Sequence, residues 1–199
     1  MKKYRILSFF LLFTLLLPVL PTPAAALEDP DPQCAKAILV DANYGEVLYD
    51  KNAYEKAYPA SITKVMTALL ILEAMEDGRL AADTVVTVSD FAAKKDFSNE
   101  STANLKPGEQ LTVEQLLYCL LLPSANDAAK ALAEALDGST AEFAARMNRR
   151  AGELGCQGTH FVNPNGLHNE DHYTTAYDIS LYMEAALEEM PSMRHFRMF

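Results

Sequence analysis

The chain has 199 residues, half of them apolar and 22% charged, which suits one medium folded domain and excludes a disordered chain. Basic residues number 17 against 27 acidic ones, and three of the basic ones, Lys2, Lys3 and Arg5, fall in the first 26 residues. Without those 26 residues, 14 basic groups face 27 acidic ones, and an excess of that sign excludes nucleic acid as a partner.

The N-terminus carries a positive start, an almost wholly apolar run over residues 6–20, and small residues at Ala24, Ala25 and Ala26. That order predicts a secretory signal peptide over residues 1–26 and an extracytoplasmic location. The run is too short to span a bilayer, and Pro18, Pro21 and Pro23 break its end. An acidic linker, residues 27–34, follows. Cys34, Cys119 and Cys156 fit neither a zinc site nor a CxxC motif, and no metal or cofactor is expected. Their disulfide state stays open.

Two apolar runs, 37–40 and 46–49, flank an Asn- and Gly-containing loop and predict a β-hairpin. Residues 62–75 predict a helix, apolar nearly all round and hence buried. Residues 84–88, rich in β-branched side chains, predict a short strand. Helices are expected after Thr112, with Gln115 completing a capping box, again over 127–136, and after Ser139, with Glu142 completing a second box. Thr174 or Thr175 caps a last helix through residue 187. Strands first and helices afterwards is an α+β order.

Two short motifs carry chemistry. Ser61 and Lys64 lie three apart and share a helix face. At the start of a buried helix the free N–H groups and the dipole favour negative charge near Ser61. The same environment disfavours an ammonium on Lys64, and a neutral amine beside a hydroxyl is a general base. Alone the pair is weak, since a helix-capping serine and a solvated lysine give the same spacing. Ser124-Ala125-Asn126 interrupts an apolar helical stretch after Pro123; its hydroxyl and amide suit proton relay and carbonyl binding, or a plain helix break. His168 and His172 flank Glu170 but lack H-E-x-x-H order, which argues against a metal site.

Taken with their flanks, these motifs resemble a known family. Residues 58–67, 124–129, 161–167 and 172–178 look like the conserved stretches of low-molecular-mass penicillin-binding proteins, the D-alanyl-D-alanine carboxypeptidases, in that family's order. The resemblance covers residues 35–190. It implies a β-lactamase/DD-peptidase-like α+β fold: an antiparallel sheet flanked by helices, with a helical subdomain. It implies Ser61 as nucleophile, Lys64 as its base, Ser124 as proton relay to the departing D-alanine and Asn126 as ligand of the substrate carbonyl. Stem peptides ending in D-Ala-D-Ala become the substrate and β-lactams the inhibitors. The family's third motif, Lys-Thr-Gly or a variant, does not occur in the 199 residues. The expectation is therefore that residues 35–199 are the N-terminal part of a catalytic domain. By that reading the later strands and any membrane-binding segment lie further on, and this chain is inactive by itself. A serine β-lactamase and a non-catalytic cell-wall-binding protein are the alternatives.

Overall fold

The structure, a computed structural model, describes residues 29–189. The expected signal peptide lies outside those residues. The chain divides into two compact units, Met1–Gln33 and Cys34–Phe199, and every element below belongs to the second.

Strands β1 (Ala37–Asp41) and β2 (Glu46–Lys51) form the expected antiparallel hairpin. Its loop closes on Asp41, whose carbonyl accepts the N–H groups of Tyr44 and Gly45. A bulge between Leu39 and Val40 shifts the register. The predicted strand at 84–88 narrows to β3 (Val85–Thr87), paired with β4 (Gln110–Thr112).

Helix α1 (Thr63–Glu76) follows a 3-10 turn, Ala60–Ile62. Met66, Leu69, Leu70, Ile71, Leu72 and Ala74 are all buried, as an all-round apolar helix requires. Each large side chain so buried contributes about 1.5–3 kcal/mol, so α1 is a rigid central post. Short α2 (Asp90–Ala93) is capped by Ser89. Then come α3 (Val113–Leu121), α4 (Asn126–Asp137), α5 (Thr140–Glu153) and α6 (Ala176–Glu189). α1 packs against α6, α4, α3 and α5, and α6 packs in turn against β1. This is an α+β domain with helices around one buried helix.

The caps follow the sequence with one difference. Thr112 and Gln115 form the full capping box of α3. Ser139 accepts from Glu142 N–H, and that bond alone caps α5. Thr175, rather than Thr174, opens α6 by accepting from Asp178 N–H.

Candidate active site

Ser61 sits in the 3-10 turn where α1 begins. Its side chain caps nothing: the turn and the helix both start without a side-chain cap. The capping role that the spacing alone allowed is therefore not played. Lys64 is 3% exposed, so it is not a solvated charge either. Its Nζ stands 3.2 Å from Ser61 Oγ and 2.9 Å from the Asn165 carbonyl oxygen.

Burial pulls the Lys64 ammonium down to about 8, opposed by the negative charge of Glu100. At that value roughly a tenth of the molecules hold a neutral amine at pH 7, about 300-fold more than for an unperturbed lysine. Neutral, Nζ can accept the Ser61 proton across the distance observed.

The turn cluster 163–166 holds this arrangement in place, a role the sequence reading did not assign. The Asn163 side-chain oxygen accepts from the N–H groups of Asn165, Gly166 and Leu167, which curls the loop. So curled, the loop aims the Pro164 carbonyl at Thr67 Oγ1 (2.6 Å) and the Asn165 carbonyl at Lys64. Gly166, with φ +84°, packs on the carbonyl of Ala60, directly before Ser61.

His172 secures the same junction. It is 2% exposed and lies 2.8 Å from Thr63 Oγ1 through Nε2. Val162 N–H donates to its Nδ1, so the proton resides on Nε2 and is donated to Thr63. Burial, with the His160 and His168 charges, lowers the His172 pKa to about 4. His168 pairs instead with Glu170. The two histidines weighed for a metal are thus committed to different partners.

Ser124 and Asn126 enter from the α3–α4 junction. Ala125, not Ser124, occupies the cap position of α4, with no side-chain cap bond. Ser124 has φ +59° and Ala60 has φ +47°. For residues with a Cβ this left-handed region costs roughly 1–2 kcal/mol, and such strain concentrates where a site must be shaped. Asn126 is buried and donates from Nδ2 to Glu100 Oε2 (3.1 Å).

A cleft of ≈ 260 Å³ opens over these groups, lined by Ser61, Glu100, Asn126, Asn165, Gly166 and His168 among others. The cleft thus brings Ser61 and Asn126 together, and Lys64, buried and not among the lining residues, stands behind Ser61 at 3.2 Å. Ser124, expected as the proton relay, is not among the residues lining the cleft either. A larger hollow of ≈ 460 Å³, near Tyr54, Tyr177 and Asp178, shares no residue with the cleft. It holds no nucleophile–base pair.

Glu100 escaped the sequence reading because residues 94–105 show no periodicity and no motif. Asn165 and Gly166 were visible only as a turn.

The family model for D-alanyl-D-alanine carboxypeptidase matches residues 24–197. The chain is 38% identical over 189 residues to the D-alanyl-D-alanine carboxypeptidase DacF of Bacillus subtilis, covering 92% of this chain and 48% of that one. Penicillin binding protein 5 of Haemophilus influenzae superposes with a TM-score of 0.80 at 29% identity, over 83% of this chain and 48% of that one. Penicillin-Binding Protein D2 of Listeria monocytogenes, solved in its cefotaxime-bound form, superposes at 0.70 with 30% identity over 79% and 63%. The chain spans about half the length of the curated relatives it matches. On this fold, this motif order and this likeness, the chain belongs to the D-alanyl-D-alanine carboxypeptidase family of serine peptidases.

Proposed function

We propose that the protein of which these residues form a part removes the terminal D-alanine from peptidoglycan stem peptides through an acyl-enzyme. The observation that carries this reading is the buried Lys64 amine, 3.2 Å from Ser61 Oγ, with its proton affinity lowered to about 8. Lys64 Nζ takes the Ser61 proton as Oγ adds to the carbonyl of the penultimate D-alanine. The C–N bond breaks, and Ser124 passes a proton to the departing amine. Water then attacks the Ser61 ester and frees the shortened peptide. Asn126 binds the substrate's peptide carbonyl from the cleft wall.

The oxyanion of that addition needs two N–H donors. The Ser61 N–H supplies one. In this family the second comes from a Lys-Thr-Gly-type strand, which the 199 residues do not contain. These residues by themselves are therefore proposed to acylate slowly or not at all. The site of action is extracytoplasmic, in keeping with the charged and apolar start of the chain and with its substrate. β-Lactams acylate the same serine. Among residues 29–189 no helix is long and apolar enough to cross a bilayer.

The test uses the full-length protein and its Ser61→Ala variant. Wild type should release D-alanine from a D-Ala-D-Ala peptide and gain the mass of a fluorescent penicillin; the variant should do neither. Nitrocefin turnover faster than D-alanine release would assign a β-lactamase instead. Peptidoglycan binding with no D-alanine release from wild type would leave a non-catalytic wall protein.

A further inference from the structure

Residues 94–105 run as a strap without helix or strand along the first turns of α4, and α4 holds them one contact after another. Lys130 donates to the Lys94 carbonyl and to Asp96, 3.3 Å away. Asn126 N–H donates to the Ser101 carbonyl. The Asp127 carboxylate accepts from Ala103 N–H and Leu105 N–H, 3.0 Å each. Lys130 and Asn126 lie four residues apart, on one face of the helix.

Glu100 is the one member of this strap whose carboxylate both grips a proposed substrate ligand and lines the cleft. Its Oε1 accepts from Asp96 N–H (2.9 Å), which fixes the strap's own bend. Its Oε2 accepts from Asn126 Nδ2 (3.1 Å). Each carboxylate oxygen thus meets an N–H donor. A carboxamide there can satisfy only one of the two, because its NH₂ end would face a donor.

We propose that Glu100 is a positioning residue of this site: it fixes the Asn126 carboxamide at the cleft wall and supplies negative charge to the cleft that Ser61 lines. The inference rests on the acyl-transfer reading above and deepens it. Other ionisable groups around α1 are engaged elsewhere. Asp127 and Lys130 hold the strap, and Glu73 pairs with Arg150. Asp178 accepts from Gly158 and Thr159, and His172 bridges Thr63 and Val162. On the opposite lip His168 pairs with Glu170. Glu100 is the charged neighbour that raises the Lys64 proton affinity against its burial. Too low an affinity would leave a weak base; Glu100 keeps the amine basic enough to take a hydroxyl proton.

The test titrates isotopically labelled lysine side chains in the full-length protein, with the Lys64 signal assigned by its loss in Lys64→Arg. Glu100→Gln should move the Lys64 midpoint down by about 1 pH unit, the bottom of the range for a lost opposite charge. The acid limb of the penicillin acylation profile should move with it. KM for a D-Ala-D-Ala peptide should rise about 3–10-fold as the Asn126 carboxamide loses its anchor. Glu100→Asp, which keeps the charge, should restore the midpoint, and it serves as the decisive variant should the Gln protein fail to fold. A folded Glu100→Gln protein with an unmoved midpoint reduces Glu100 to a structural clip and overturns the proposal. If penicillin leaves wild type unlabelled, the acyl-transfer reading fails, while the lysine titration still decides the role of Glu100.

Discussion

A Cβ added to Gly166 would lie 1.7 Å from the Ala60 carbonyl oxygen, and the backbone there has φ +84°. Both facts forbid a side chain, and the neighbour is main chain that cannot swing aside. Gly166→Ala should destabilise by about 2–4 kcal/mol, combining overpacking with left-handed strain. It should also displace the turn carrying Ser61. Gly78 has φ +78° and nothing within 4 Å, so Gly78→Ala should cost only the strain, about 1 kcal/mol. Denaturant melts of the two variants compare close packing with backbone conformation. Equal losses would remove the case that Gly166 is a packing contact under the Ser61 turn.

Helix ends separate serine and threonine residues that build the fold from one free for chemistry. Thr112 Oγ1 accepts from Gln115 N–H and Thr112 N–H donates to Gln115 Oε1 in return, so Thr112→Ala should cost about 1 kcal/mol. Ser61 stands at a helix start too, yet caps nothing. Ser61→Ala should therefore leave stability within about 0.5 kcal/mol of wild type. A loss as large as that of Thr112→Ala would return Ser61 to a capping role. The strap at residues 94–105 belongs to this scale as well. It has no ladder of its own and takes its shape from the first turns of α4, so the Asp127 and Asn126 bonds order the cleft wall.

Across the molecule, two buried bases set opposite ends of the pH dependence. The folded His172 pKa, about 4, lies below its ordinary 6.5, so between those values the unfolded chain binds a proton that the folded chain refuses. Stability from this group is complete above 6.5 and lost as pH falls toward 4. For Lys64 the unfolded chain binds the extra proton between about 8 and 10.5, so its contribution rises with pH across that window. In thermal melts the gap between wild type and His172→Gln should narrow from pH 7 to pH 4.5. A gap that stays constant with pH would show that His172 is not held neutral at the α1 junction. The hairpin leaves apolar side chains in solvent: Leu39 and Leu48 are 55% and 57% exposed, and α6 backs β1. A two-stranded sheet depends on such backing, being marginal by itself.

Sequence alone determined the elements whose signals are local. The all-round apolar run of α1, the Thr112 box and the Asn-Gly hairpin loop depend on residues a few positions apart, and each appears where its pattern put it. It also supplied Ser61 and Lys64, because one helical turn fixes their separation. What tertiary structure decided was the state of those groups. Lys64 is a potential base only because tertiary packing buries it against a loop a hundred residues later that offers one carbonyl, and the charge of Glu100 acts on it from a segment with no local signal. Proton affinity depends on solvent exclusion and nearby charge in three dimensions, and neither quantity has a period along the chain.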